Sequence, residues 1–369
     1  DHIQIVQNTQ IDAVQKIPQL FQSGQLGIFY RPVFFSVLAI LYSLFGQHIF
    51  FYHVVQLSIH ILNSILVFSL FKRFFTKERS FFLSLVFLIH PINTEAVVYI
   101  SAISDPLFVF FGLLAFHIMI KPPISLKKLL LGSFLLLLSL FTKEAGLIFV
   151  CIILLYYFLF IKRNIKKIIL FTSIPVCIYF YFRLFIAQTF FAHLSFVPIA
   201  QLSFLERLLT IPKIIFFYIA TFFMPVQLAI AQHWTVRKIT FPDFYLPLLL
   251  DSIFFIFLFY IGLFLYRKRK VLFLPFFFFL LVFFIGLSLY LHIIPLDMTV
   301  AERWFYLPII GMLGICGIII SFFKITNEKI KSIALTAIII IIFVLSLRTM
   351  IRNTNWYDGF TLYSHDTKI

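Results

Sequence analysis

Apolar residues in this chain run in long unbroken stretches, and polar residues are confined to the short gaps between them. Stretches at 50–71, 80–100, 104–120, 128–142, 145–161, 167–186, 244–265, 271–291, 305–323 and 332–348 each predict an apolar helix. The segments 244–265 and 271–291 reach the roughly 20 apolar residues needed to cross about 30 Å of hydrocarbon. Continuous runs, in place of strict apolar–polar alternation, predict spanning helices and exclude an outer-membrane barrel. The expected fold class is an all-α polytopic membrane protein, a bundle of about ten transmembrane helices with external interfacial helices.

Composition agrees with that pattern. Hydrophobic residues make up 62% of 369 positions, charged residues only 12%, and the mean hydropathy is +1.06. A water-soluble globule could not cover so much apolar surface with so little charge. In a soluble protein the net charge of +16 would suggest nucleic acid; here it points to loops facing anionic lipid, and no nucleic-acid partner is expected. Cys151, Cys177 and Cys316 all lie inside apolar runs, as packing residues and not as a disulfide framework.

The basic clusters set the expected orientation, because Lys and Arg are retained on the cytoplasmic side. They are Lys72-Arg73 with Lys77 and Arg79, Lys121 with Lys127-Lys128, Lys162-Arg163 with Lys166-Lys167, the run Arg267-Lys268-Arg269-Lys270, and Lys324, Lys329 and Lys331. Each lies two spans from the next, so one face collects the positive charge. The segment 204–224 breaks the alternation, since the run at 267–270 requires both its ends outside; it reads as an interfacial or re-entrant helix. Residues 34–45 are too short to span and read the same way. One integrated membrane domain over 1–348 follows, with external loops at 1–33 and 187–243 and an external tail at 349–369. The chain opens on Asp1, and residues 1–30 are polar without a signal-peptide pattern, so a preceding membrane-inserting segment is expected.

The opposite face collects the chemistry. Its gaps carry Asp1, Tyr30-Arg31-Pro32, His90-Pro91 with Glu95 and Asp105, Lys143-Glu144, and Ala301-Glu302-Arg303-Trp304. Each has a plain structural reading. Asn93, Thr94 and Glu95 suit a helix N-terminus, Lys143-Glu144 and Glu302-Arg303 suit neighbouring ion pairs, and Trp304 and Tyr306 suit interfacial aromatics. Pro32 suits a helix start and Arg31 a snorkelling anchor. Against this stands the cost of ionisable groups at bilayer depth, which marks them as functional candidates. A guanidinium such as that of Arg303 can grip phosphate through two parallel hydrogen bonds, and Lys143 at the membrane edge is the charge a lipid phosphate needs. His53 and His60 flank Gln56 and read as packed or hydrogen-bonded helix residues, with no His/Glu spacing that demands a metal.

In this order the motifs resemble the transmembrane-and-tetratricopeptide-repeat protein O-mannosyltransferases and their prokaryotic relatives, of the GT-C class. Asp1-His2-Ile3-Gln4-Ile5-Val6-Gln7-Asn8 is similar to that family's Asp-Asp pair continued to its Asn, with Asp1 as the second acid. Tyr30-Arg31-Pro32 resembles its Tyr-Arg-Pro-Leu, with Val33 for Leu. His90-Pro91-Ile92-Asn93-Thr94-Glu95-Ala96-Val97 resembles its His-Pro-x-His-Thr-Glu-Ala-Val, with Asn93 in place of the second His. Lys143-Glu144 matches its Lys-Glu, and Ala301-Glu302-Arg303-Trp304-Phe305-Tyr306-Leu307-Pro308 its Ala-Glu-Arg-x-Leu-Tyr-Leu-Pro. Arg352-Asn353-Thr354-Asn355-Trp356 resembles the junction into the repeats, so the tail 349–369 is expected to be the start of a C-terminal repeat region; Ala102-Ile103-Ser104-Asp105 lacks the Arg before its acid.

The resemblance implies a multi-pass cell-membrane enzyme with its active site on the extracytoplasmic face. It would move a mannose-like sugar, with inversion, from a polyprenyl-phosphate donor to a hydroxyl acceptor such as Ser or Thr of a protein. Residues and resemblance together assign Asp1, Glu95 and Asp105 to catalysis, and Arg303, Lys143 and Arg31 to the donor phosphate. Tyr30, His90, Asn93, Glu144, Glu302, Trp304 and Tyr306 are assigned to substrate binding. A divalent metal between acids is left open and is not required. The expected partners are the bilayer, the lipid-linked sugar and the acceptor. A flippase or transporter of lipid-linked sugars and a non-catalytic membrane scaffold are the alternatives.

Overall fold

The computed structural model describes residues 8, 10–25, 29–190, 197–230, 232–322 and 328–368. Among them it is all-helical, with isolated bridges and no strand. In chain order the helices are α1 (Ile17–Leu20), α2 (Pro32–Phe45), α3 (Ile49–Phe71), α4 (Lys77–Ile89), α5 (Thr94–Val98), α6 (Ser104–Ile120), α7 (Leu126–Thr142), α8 (Leu147–Tyr156), α9 (Ile165–Tyr181), α10 (Phe204–Phe223), α11 (Leu246–Lys268), α12 (Lys270–Ser288), α13 (Pro308–Ile320), α14 (Glu328–Thr354) and α15 (Gly359–Asp366).

Among the described residues, seven helical segments are long and apolar enough to cross a membrane: Ile49–Phe71, Ile100–Ile120, Glu144–Ile161, Ile165–Ile186, Phe241–Lys268, Lys270–Ser288 and Glu328–Thr354. This is a multi-pass architecture. Two of the three remaining expected spans differ for physical reasons. The span at 80–100 is broken into α4 and a segment from Pro91 to Val98 bent by 49°, because Pro91 fixes its φ and lacks an N–H for the helix ladder. The span at 128–142 appears as the 17-residue α7. The span at 305–323 shrinks to the 13 residues of α13, opened by Pro308 and buried on every side from Pro308 to Ile315. A helix walled in by protein has no hydrocarbon thickness to match.

The contacts fall into two compact units, Asp1–Leu70 with Ala96–Ala192, and Phe71–Glu95 with His193–Ile369. In the first, α7 packs against α6 and α9. Side-chain hydroxyls stitch these apolar helices together: Ser139 donates to Phe108 O (2.8 Å), Ser133 to Phe171 O (2.5 Å) and Tyr157 to Met119 O (2.6 Å). Along α3, Gln56, His60 and Asn63 form a buried polar stripe; Gln56 donates to Ala96 O and Tyr99 O, and Asn63 to Pro106 O. Helix α2 opens on Pro32, stops at Gly46 in the left-handed region (φ 57°), and buries Phe34, Phe35, Leu38 and Leu41.

In the second unit α12 and α13 pack most intimately, since Gly311 lets their backbones meet. A Cβ there would lie 2.5 Å from Phe283 N and 2.8 Å from Phe279 O. Helix α10 keeps a capping box, Ser203 with Glu206, and carries Pro212 in its interior. Arg207 donates to His292 O, Lys213 pairs with Asp243 at the start of the Phe241–Lys268 segment, and Tyr218 donates to Ala301 O. Along its length α10 thus engages segments that the sequence places at one end of the spans, and it is not among the seven crossing helices. At the other end Arg79 donates to Ser321 Oγ at 3.0 Å. The three cysteines are unpaired, and Cys151 and Cys177 face outward from their helices instead of packing inside.

Candidate functional site

The second unit brings the histidine box and the arginine box together. Where Pro91 ends α4, His90 turns its ring inward. His90 Nδ1 accepts from Ile92 N (3.2 Å), so the Nε2–H donates to Phe222 O (3.0 Å), and the ring stacks on Phe222 with an interplanar angle of 5°. The imidazole is therefore the neutral Nε2–H tautomer, committed on both nitrogens. Asn93 donates to Phe87 O, while its Oδ1 and Thr94 Oγ1 are buried without a hydrogen-bond partner among the described residues.

One turn later Glu95 is fully buried. It meets the short 3-10 turn Glu302–Phe305: Arg303 N donates to Glu95 Oε2 at 3.0 Å, and Arg303 Nη1 donates to Glu95 Oε1. Glu302 points elsewhere and accepts from Arg352 Nη2 at 3.1 Å. Arg352 Nη1 lies 3.5 Å from Asp366 Oδ1, an ion-pair contact without hydrogen-bond geometry. Burial pushes the Glu302 carboxyl well above the usual carboxylate range, against the opposing pull of Arg352. Trp304 stacks on Tyr290 at 5.0 Å, and Tyr306 meets Phe87 edge-on at 5.2 Å, so both rings are core residues.

The first unit holds the other two boxes. Lys143 sits in extended backbone (φ −158°, ψ 139°) between α7 and the 3-10 turn Glu144–Gly146, which sends successive side chains apart. Lys143 Nζ reaches Asp105 Oδ1 at 2.6 Å, both side chains buried. Glu144 takes a two-point grip from Arg31, whose Nε and Nη2 donate at 3.0 and 2.5 Å. The neighbour pairings expected for Lys143-Glu144 and Glu302-Arg303 are thus replaced by partners distant in sequence. Arg31 lies 4.4 Å over the Phe29 ring, and Glu144 is the most open of these groups, its side chain 40% exposed. Tyr30 is buried; its hydroxyl donates to Phe21 O and burial raises its pKa. Its ring lies against Phe141 and Tyr179, and the Tyr179 hydroxyl accepts from Arg183 at 2.7 Å.

Asp1, the expected general base, lies outside the described residues. All three expected phosphate cations, Arg303, Lys143 and Arg31, are held by expected acids, Glu95, Asp105 and Glu144 respectively. Cations fixed in this way have little side-chain entropy left to lose. Sequence reasoning missed Arg352 and Asp366 as part of the cluster; the available signal was Arg348 and Arg352, basic residues at the end of a span opposite the basic clusters. Among the described residues no three His, Cys, Asp or Glu side chains gather as a metal set. Comparison with family models, curated proteins and solved structures finds no match to this chain.

Proposed function

We propose that this chain is a GT-C-class membrane glycosyltransferase of about ten transmembrane segments, which moves a sugar from a polyprenyl-phosphate donor to a hydroxyl acceptor on the extracytoplasmic face. The observation that carries the reading is the pairing of Arg303 with Glu95, a cation oriented through backbone and side chain at the broken end of an apolar helix. A scaffold gains little from such a group, because the desolvation cost of a buried charge pair can exceed its Coulombic return. Arg303 is assigned to the donor phosphate. Lys143 and Arg31 are the candidate phosphate ligands of the first unit.

The chemistry balances simply. A carboxylate, for which Asp1 is the candidate, takes the acceptor hydroxyl proton, worth about 10²–10⁴ in rate. The acceptor oxygen bonds to the anomeric carbon from the face opposite the phosphate. The bond from that carbon to the phosphate oxygen breaks, and the lipid phosphate leaves with the electron pair. Arg303 stabilises the charge gathering on that phosphate. Glu95 and Asp105 hold cations in place, and the sugar is mannose-like by the resemblance described above.

The test is transfer from polyprenyl-phosphate mannose to a Ser/Thr peptide by the protein in liposomes. Arg303→Ala is expected to lose about 10² or more in kcat/KM; undiminished transfer removes Arg303 from the reaction. One observation favours a second reading. Gln56, His60 and Asn63 on α3, and Asp251 on α11, are polar groups buried within membrane-spanning helices, as a transporter of lipid-linked sugars would need. Movement of the donor across the bilayer without transfer would establish that alternative.

A further inference from the structure

We propose that Arg352 is a positioning residue for Arg303, acting through Glu302 from the far end of α14; the inference rests on the transferase reading of Arg303. Glu302 and Arg303 are consecutive in a four-residue 3-10 turn, and their side chains are clamped on opposite sides. Arg303 is drawn to Glu95, and Glu302 to Arg352. The turn's leading carbonyl, Ala301 O, accepts from Tyr218 at 3.1 Å. The turn therefore has three points of attachment, contributed by the segments around Glu95, Tyr218 and Arg352. Three such points fix both the position and the rotation of a short rigid turn.

Arg352 is itself fixed from behind. Its guanidinium lies 5.6 Å over the Trp356 ring and beside Asp366, whose Oδ2 accepts from Ile230 N at 2.8 Å. A chain of alternating acid and base side chains results: Glu95, Arg303, then Glu302, Arg352, Asp366. Both Arg352 and Glu302 are wholly buried, yet they share a single hydrogen bond where a two-point grip was available. Arg352 Nε and Glu302 Oε2 have no hydrogen-bond partner among the described residues. An under-satisfied buried pair is a poor source of stability, and apolar residues of like volume would serve the core as well or better. What an arginine adds at this place is a directional hold on the turn that carries Arg303.

Hydrogen exchange and kinetics on the full chain in lipid nanodiscs test this together, using Arg352→Gln, Arg352→Lys and Glu302→Gln. Amides of the turn Glu302–Phe305 are expected to exchange about tenfold faster in Arg352→Gln, with amides inside α13 unchanged, and donor kcat/KM to fall by about tenfold to a hundredfold. Arg352→Lys keeps the charge and Glu302→Gln keeps the acceptor oxygen; each is expected to recover part of both losses. If Arg352→Gln does not fold, the exchange and kinetics of Arg352→Lys decide. Unchanged turn exchange overturns the proposal, and so does faster exchange with kcat/KM intact. Should Arg303→Ala transfer sugar normally while the turn still loosens in Arg352→Gln, the assignment of Arg303 to the donor phosphate has failed and not the mechanical link.

Discussion

Arg303 gives Glu95 both its backbone N–H and its guanidinium, although 208 positions separate the two residues. One carboxylate thereby fixes a main-chain turn and the charge that the turn presents. Glu95→Ala would leave the Arg303 charge without its counter-ion in a buried place, costing about 3–5 kcal/mol. Glu95→Gln, which keeps an acceptor oxygen, is expected to cost less. Thermal unfolding in detergent, compared across the two variants, measures the difference.

Lys143 and Asp105 make the corresponding pair in the first unit, with both side chains buried. Lys143→Met alone is expected to destabilise by about 3–5 kcal/mol, and Asp105→Leu alone by a similar amount. The double variant should return close to wild-type stability, since an apolar pair of like volume carries no desolvation cost. Additive losses in the double variant would show that the two charges do not act as a pair.

Gly311 and Gly359 make a contrast. Alanine at 311 would press its Cβ against the α12 backbone within 3 Å, forcing α12 and α13 apart at a cost of about 1–3 kcal/mol. Among the described residues nothing lies within 4 Å of the position a Cβ would take at Gly359, at the start of α15. Gly359→Ala is expected to gain about 0.4–1 kcal/mol by restricting the unfolded chain. Melting temperatures of the two variants should move in opposite directions.

His292 supplies a pH dependence. Its Nδ1 accepts from Leu296 N and its Nε2 lies 2.7 Å from Thr299 O, and burial lowers its pKa below the ordinary 6.5. The unfolded chain therefore takes up this proton first as pH falls. Stability is fully present above about 6.5 and declines between that value and the lower folded pKa. His292→Gln should flatten that segment of the stability-against-pH curve. A wild-type curve already flat from pH 7 to 5 would contradict the assignment.

Much of this arrangement is legible in the chain. The apolar runs mark the helices, and the charged gaps mark the residues that become buried pairs. Partner choice is not legible. Lys143-Glu144 and Glu302-Arg303 are adjacent opposite charges, yet extended backbone at Lys143 and the turn at Glu302 point the neighbours away from each other. Each then finds a partner at least 38 residues away, through tertiary packing that no local pattern encodes. The aromatics mislead for a related reason: Tyr30, Trp304 and Tyr306 sit beside the charged residues in sequence but turn into the core. The shortness of α13 is equally hidden, because apolarity continues past the point where the helix stops.

Helix α14 has 27 residues, and only 6% of its apolar window is covered by the rest of the protein. At about 1.5 Å per residue it is roughly 40 Å long, more than the hydrocarbon layer it would cross. Near one tip it is fastened by Arg348 to the carbonyls of Pro225 and Val226, by Thr349 to Ile89 O and by Arg352 to Glu302. Such a helix behaves like a mast stepped at its foot, its free length supported by lipid tails. Acyl-chain length then becomes a variable of the protein itself: a thinner leaflet leans the mast, and the lever arm ends on the guanidinium at its base.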